Sequence, residues 1–155
     1  MVRLTAPASQ AQWHVARGLI EEYAAALKVD LCFQNFAHEL EHLAEEYAPP
    51  TGALLLAQDG GGYLGCVGLR QLSTDIGEIK RLYTIPAARG QGVGRALAAA
   101  IIAAARERGY QRLVLDTLPA MKEAQSLYVS LGFRQTTAYR FNPVPGSLYL
   151  ELPLR

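Results

Sequence analysis

The amino-acid chain has 155 residues, which is the size of one ordinary domain with one hydrophobic core. Its 15 Lys and Arg nearly balance its 14 Asp and Glu, so no overall positive field favours nucleic acid or an anionic membrane surface as a partner. The N-terminal residues lack the apolar stretch of a secretion signal, and the longest apolar run, residues 97–105, is too short to span a bilayer. Cys32 and Cys66 have apolar neighbours, which favours two free buried thiols over a disulfide. We therefore expect a single domain over residues 1–155, located in the reducing cytoplasm.

A short strand and a helix are predicted at the start of the chain. Residues 2–5 have the composition of a strand, and Ser9 and Gln12 have the S-x-x-Q spacing of a helix capping box. Apolar side chains then recur at positions 16, 19, 20, 23 and 27. This spacing predicts an amphipathic helix whose apolar stripe packs on the core.

A second predicted helix, around residues 36–47, contains the segment HELEH. The segment has the H-E-x-x-H spacing by which two histidines bind zinc while the glutamate activates a water. At about 100° per residue, His38 and His42 lie opposite the apolar stripe, and the remaining histidine of the chain, His14, belongs to a different helix. The pattern therefore favours a solvated acidic face over a metal site, and no metal is predicted. The acidic residues of this face are Glu39, Glu41, Glu45 and Glu46.

Strand patterns begin after two consecutive prolines. Residues 53–57 and 63–72 are predicted to form a hairpin around the turn sequence DGGG, and a third strand over residues 78–85 ends at the next proline. Apolar residues at positions 93, 97, 101 and 104 then predict a helix that ends at Gly109.

The last third of the chain is predicted to contain strands on either side of a short helix. The segment RLVLD, residues 112–116, has the pattern of a buried strand. A helix over residues 121–131 stops at Gly132, and two further strands are predicted over residues 136–141 and 147–152. This order of elements favours one mixed α/β sheet with helices on both faces.

Between the third strand and its helix lies the segment RGQGVGR, residues 89–95. Its glycines let the backbone turn sharply, so successive N–H groups converge at the start of a helix, where the helix dipole also favours phosphate oxygens. The lysine of a nucleoside-triphosphate loop is missing, and Arg95 stands where a dinucleotide fingerprint needs its third glycine. The segment alone predicts an anion-binding turn, and a tight turn without a ligand remains an alternative.

Two longer segments, EIKRLYTIPAARGQGVGRAL and AQSLYVSLGF, resemble the GNAT superfamily of acyl-CoA-dependent N-acyltransferases. The cofactor loop of that family has the pattern R/Q-x-x-G-x-G/A, which Arg89, Gly92 and Gly94 match. The later family signature is N-x-x-A-x-x-L-Y-x-x-x-G-F, and Met121 stands where its asparagine is often found. The residues that match this signature are Ala124, Leu127, Tyr128, Gly132 and Phe133.

The resemblance implies a fold and a cofactor site. The fold is a mostly antiparallel sheet of six to seven strands with helices on both faces, in which the parallel strands over residues 78–85 and 112–116 splay apart. The pantetheine arm of acetyl-CoA lies in the gap against exposed main chain, and its pyrophosphate lies on the N–H groups of the glycine turn. The cofactor-binding residues implied in this way are Leu82, Tyr83, Thr84, Arg89, Gly90, Gln91, Gly92, Val93, Gly94, Arg95, Ala124 and Leu127.

The resemblance also implies catalytic residues for direct attack of an amine on the thioester, without a metal. Tyr128 is the expected acid that protonates the leaving thiolate, and packing in the core is its alternative role. Glu78 is the expected base for the amine, and a strand-face pair with Lys80 is the alternative. Asp116 is a second possible base, although a cap on the next helix is the role we favour for it.

The acceptor is expected to be a primary amine of a small molecule. Between Lys28 and Arg70 the chain has six acidic residues and no Lys or Arg, so this region forms either an acidic wall that attracts a cationic amine or a solvated helix face. Acetylation of a protein amine, or a sensor that binds acyl-CoA without turnover, are the competing hypotheses. The resemblance makes a homodimer the expected assembly. The residues assigned to the acceptor pocket are Phe33, Phe36, Tyr47 and Asp116.

Overall fold

A seven-stranded sheet forms the centre of the computed structural model, which describes residues 1–28, 31 and 35–154. The strands occur across the sheet in the order β1-β2-β3-β4-β5-β7-β6, and every neighbouring pair is antiparallel except the parallel pair β4-β5. The predicted sheet architecture is therefore confirmed. The strands are β1 (Arg3–Thr5), β2 (Ala53–Asp59), β3 (Gly62–Ser73), β4 (Ile76–Thr84), β5 (Arg112–Thr117), β6 (Arg134–Gln135) and β7 (Leu148–Pro153).

Helices cover both faces of this sheet, as predicted. On one face, α4 buries residues at every fourth position, Val93, Leu97, Ile101 and Ala105, because this spacing puts them on one side of a helix. On the other face, α1 packs Ala16 and neighbouring apolar residues against β2 and β3. Among the described residues, no helix is long and apolar enough to cross a membrane. The helices are α1 (Gln10–Leu27), α2 (Phe36–Glu41), α3 (Leu43–Glu46), α4 (Val93–Glu107) and α5 (Lys122–Ser130).

Local signals in the sequence located several of the helix ends. Ser9 accepts a hydrogen bond from the Gln12 N–H (3.2 Å), which caps α1 as expected. Gly109 and Gly132 follow α4 and α5 in the left-handed region, with φ of 84° and 103°, because only glycine enters that region without strain. Cys66 is a free buried thiol as predicted, whereas Cys32 lies outside the described residues.

Two predicted elements are wrong. The single helix around HELEH is broken at His42, whose backbone (φ −127°, ψ 35°) is not helical, so α2 and α3 are two separate helices. The predicted strand over residues 136–141 does not form, and β6 ends at Gln135. Beyond it the chain leaves the sheet, and Tyr139 and Arg140 hydrogen-bond to Glu78 instead.

Candidate active site

The parallel strands β4 and β5 separate part way along their length. They are paired from Ile76 opposite Arg112 to Glu78 opposite Val114, and beyond these residues β4 runs on to Thr84 without further pairing to β5. The main chain of this part of β4 therefore faces a gap on its β5 side. Unpaired N–H and C=O groups at such an edge can bind an extended ligand.

A bulge at Arg81 changes the direction of β4 within this gap. The pairing of β4 with β3 shifts by one residue between Cys66 opposite Tyr83 and Gly68 opposite Lys80, and Arg81 has a left-handed backbone with φ of 60°. Regular alternation would put residues 79 and 83 on the same face of the sheet. The extra residue reverses the faces, so the side chain at 79 packs under α4 while that of Tyr83 packs under α1.

The glycine turn lies at the end of β4 and leads into α4. Gly90 and Gly92 have left-handed backbones, with φ of 78° and 83°, and an added Cβ at either position would contact nothing within 4 Å. Gly92 is the N-cap residue of the 15-residue helix α4, so free N–H groups and the helix dipole point towards the gap. The Arg89 Nε donates to the Thr84 carbonyl (3.2 Å), and the Arg95 Nη2 donates to the Ser130 hydroxyl (2.6 Å). These bonds place two guanidinium groups beside the turn.

The gap and the turn together form a groove of about 810 Å³, which is in the usual range for a cofactor-sized ligand. The sequence-predicted Gln91 does not line the groove, because its Nε2 donates to the Ala87 carbonyl (3.3 Å). The predicted cofactor residues that do line it are Leu82, Tyr83, Thr84, Arg89, Gly90, Gly92, Val93, Gly94, Arg95, Ala124 and Leu127.

A smaller recess of about 30 Å³ joins the groove between the splayed strands. The two cavities share the lining residues 23, 27, 82, 118 and 121, so they lie next to each other. Lys80, Asp116, Tyr128 and Asn142 also line the recess. It therefore brings several groups that can carry protons to one end of the groove.

Tyr128 is the predicted acid that the structure places in this recess. Its ring is 5% exposed and packs edge-to-face on Phe133, with the ring centres 5.3 Å apart. Tyr128 belongs to the buried core cluster, as its alternative role of core packing requires, but within the described part of the chain no hydrogen bond to its hydroxyl occurs. Burial raises the pKa of the phenol above its ordinary value, which keeps it protonated at neutral pH.

Glu78 lines neither cavity. Its side chain is 1% exposed, and its carboxylate accepts hydrogen bonds from the Tyr139 hydroxyl (2.7 Å) and the Arg140 Nη2 (2.6 Å). Arg70 lies 3.7 Å away on the neighbouring strand. Both carboxylate oxygens are therefore held in an ion-pair cluster beneath the recess, and the geometry does not support the role of base that the sequence suggested.

Two other groups line the recess, Asp116 and Lys80. From the sequence, a helix cap was the favoured role of Asp116, and Lys80 was expected only as a possible partner of Glu78. Asp116 does not cap a helix as expected, because α5 begins after Met121 and the Asp116 Oδ2 accepts from the Asn142 Nδ2 (2.9 Å). Lys80 is 4% exposed, and burial, followed by the charge of Arg81, lowers its pKa to about 7.

The glutamate of HELEH is buried, which corrects the prediction that it lies on a solvated face. Glu39 is 0% exposed and accepts hydrogen bonds from the Arg81 Nη2 (2.7 Å) and Nε (2.9 Å) and from the Tyr47 hydroxyl (2.8 Å). Because both carboxylate oxygens are held by these bonds, Glu39 is not free to activate a zinc-bound water. The rings of His38 and His42 stack on each other 4.2 Å apart.

Of the described residues assigned to the acceptor pocket, Asp116 lines the recess, and the other two line neither cavity. Tyr47 is 1% exposed in the core, and Phe36 packs on the guanidinium of Arg81 at 5.1 Å. Phe33 lies outside the described residues. Of the described acidic residues between positions 28 and 70, none lines either cavity, so they do not form an acidic wall around the recess.

Comparisons with other proteins agree with this geometry. The pattern of the acetyltransferase (GNAT) family matches residues 18–133. An uncharacterized N-acetyltransferase of Schizosaccharomyces pombe is 39% identical over 138 residues, covering 88% of this chain and 85% of that protein. A second, from Escherichia coli, is 34% identical over 136 residues, covering 86% of this chain and 80% of that protein. The crystal structure of a GNAT-family acetyltransferase from Staphylococcus aureus covers 100% of both chains with a TM-score of 0.82 and 18% identity, so it has the same fold.

Proposed function

Because the chain belongs to the GNAT family of acetyltransferases, we propose that it transfers an acetyl group from acetyl-CoA to a primary amine of a small molecule. The groove between the splayed strands is the observation that carries this proposal. The transfer is direct: the amine attacks the thioester while both substrates are bound.

The groove fits acetyl-CoA at two points. The main chain of residues 82–84, which has no β5 partner, can pair with the amide groups of the pantetheine arm. The N–H groups of the glycine turn, with Arg89 and Arg95, can bind the pyrophosphate. Acetyl-CoA supplies an activated acetyl group when it is bound there.

Tyr128 and Asp116 are the residues to which we assign the proton transfers. The protonated phenol of Tyr128 lines the recess at the end of the groove, from which it can donate a proton to the departing thiolate. Asp116 contributes a carboxylate to the same recess and can accept the proton that the amine loses. An amine with a pKa near 10 is mostly charged at neutral pH, so attack requires such an acceptor.

The size of the recess favours a small acceptor over a protein. Residues from α1, β4, β5 and the segment around Asn142 line it and leave about 30 Å³ of free space. A lysine side chain of a folded protein would need an open channel to reach Tyr128 there. The recess therefore supports a compact amine as the acceptor.

Thermal unfolding with and without acetyl-CoA tests the cofactor assignment. Ligand at about 100 times its Kd adds roughly 2.7 kcal/mol of stability, which raises the midpoint of a domain of this size by about 5–10 °C. We expect this shift in the wild type and a much smaller one in Gly92→Ala, because a Cβ strains the left-handed turn.

Gly109→Ala is the matched control. Gly109 has nearly the same backbone, with φ of 84°, and equally open surroundings, but it lies at the opposite end of α4. Both variants should lose intrinsic stability, and only Gly92→Ala should lose the acetyl-CoA shift. Equal shifts in all three proteins, or none in the wild type, would contradict the assignment. A screen of small amines for release of coenzyme A then tests the acceptor class.

A further inference from the structure

A buried ion pair joins α2 to the bulge of β4. Glu39 and Arg81 are 42 residues apart in the sequence, yet their side chains form two hydrogen bonds, of 2.7 and 2.9 Å, and are 0% and 4% exposed as residues. The Tyr47 hydroxyl donates a third bond to the carboxylate. Phe36 and Tyr23 lie against the guanidinium at 5.1 and 5.9 Å. The pair is thus surrounded by side chains of α1, α2 and the end of α3, while Arg81 also lines the recess.

Arg81 also has a strained backbone, as the one non-glycine residue of the described strands with a positive φ. A left-handed backbone is unfavourable for a residue with a side chain, and Arg81 adopts it with φ of 60°. Such a conformation persists only where the surroundings hold it. The Glu39 carboxylate holds the side chain of Arg81, and the Cys66 thiol donates to the Arg81 carbonyl (3.4 Å). Two contacts therefore fix the bend from both sides.

The position of the bend connects it to the groove. It lies three residues after Glu78, where pairing with β5 ends, and immediately before residues 82–84, which line the groove. Without the extra residue, the side chains after position 81 would exchange faces, and Tyr83 would leave its place under α1. The main chain that faces the gap would then lie in a different register.

From these contacts we infer that Glu39 is a positioning residue for the acyl-CoA site. Its carboxylate holds Arg81 in the left-handed bend, and the bend presents the main chain of residues 82–84 to the groove. Glu39 does not touch the groove and takes no part in the chemistry. The inference rests on the proposed function, because it assumes that acetyl-CoA binds along residues 82–84.

Calorimetric titration of acetyl-CoA into the wild type, Glu39→Gln and Glu151→Gln tests the inference. Glu151, on β7, accepts from Arg112 (2.8 Å) and lines neither cavity, so its variant also loses an ion pair but removes no group from the groove. We expect the Kd to rise at least tenfold in Glu39→Gln and to stay within twofold in Glu151→Gln. Urea unfolding of each protein confirms that it is folded during the titration.

A double variant tests whether Glu39 acts on acetyl-CoA binding through the bend of β4 or through the charge of the ion pair. Glycine adopts a left-handed backbone without strain, so Glu39→Gln combined with Arg81→Gly removes the ion pair but permits the bend. We expect its Kd to return to within about threefold of the wild type. A Kd as weak as that of Glu39→Gln alone would overturn the inference, because the bend would then not be what Glu39 provides.

The other outcomes are equally decisive. If the wild type does not bind acetyl-CoA, the proposed function fails and the inference fails with it. If the wild type binds and Glu39→Gln binds within twofold, the inference alone fails. If Glu39→Gln does not fold, Tyr47→Phe replaces it, because this variant removes one of the bonds that hold the carboxylate. A Kd for Tyr47→Phe that is unchanged from the wild type would then overturn the inference.

Discussion

Replacing Tyr128 with phenylalanine should separate catalysis from stability. The hydroxyl of Tyr128 has no hydrogen-bond partner within the described part of the chain, so its removal breaks no hydrogen bond to these residues. Loss of a hydroxyl that faces the recess without a partner is nearly neutral, which we put at no more than about 0.5 kcal/mol, or a change in Tm of about 2 °C. Loss of a positioned acid should lower kcat by about 10²- to 10⁴-fold.

Tyr110→Phe is the matched control for this experiment. Tyr110 is also buried, but its hydroxyl donates to the Thr51 carbonyl (2.7 Å) and lies outside both cavities. Its loss should cost about 1 kcal/mol, which lowers Tm by about 2–4 °C, and should leave kcat unchanged. Steady-state release of coenzyme A and thermal unfolding measure the two properties. The reasoning is refuted if Tyr128→Phe keeps kcat within threefold of the wild type, or if it loses as much stability as Tyr110→Phe.

Two further predictions concern charged groups of the recess. The pKa of Lys80 is about 7 in the folded chain, whereas its ordinary value is 10.5. Between these two pH values the unfolded chain therefore binds more protons than the folded chain does. The free energy of unfolding consequently rises with pH in this range, by up to about 1.4 kcal/mol per pH unit. Urea unfolding at pH 7 and pH 9 should show this rise in the wild type and not in Lys80→Met; equal slopes would disprove it. Asp116→Asn should lower kcat about 10²-fold at pH 7, and the deficit should shrink as the pH approaches the pKa of the amine. Asp59→Asn, in the β2-β3 turn, should leave kcat unchanged, and an equal loss in both variants would remove Asp116 from the mechanism.

Local sequence patterns predicted the parts of the molecule that depend on neighbouring residues. The end of α4 at Gly109 and the turn around Gly92 follow from backbone geometry, which a glycine determines within a few residues. The mostly antiparallel sheet with its splayed parallel pair followed from the resemblance, because the motifs lie on β4, the glycine turn and α5. These same motifs identified half of the described residues that line the groove.

The charged residues of the site could not be predicted in the same way, because their partners are distant in the sequence. Glu39 was assigned to water on the assumption of one continuous helix, but the break at His42 and a partner 42 residues away bury it. Glu78 has partners 61 and 62 residues away, in a segment that was predicted to be a strand. A cation at position 81 of a buried strand was a usable signal, because a buried charge requires an opposite charge from elsewhere in the fold.

Hydrogen exchange of the backbone amides with and without acetyl-CoA tests the central claim most directly, because it locates the ligand without assuming any activity. Acetyl-CoA should protect amides in residues 82–84 and in residues 89–95, where the groove exposes main chain. The β2-β3 turn at residues 60–62, which is remote from the groove, should exchange at the same rate in both samples. Protection that is absent from residues 82–84 and 89–95, or that occurs on another part of the chain, would contradict the proposal that the groove between β4 and β5 binds the acetyl donor.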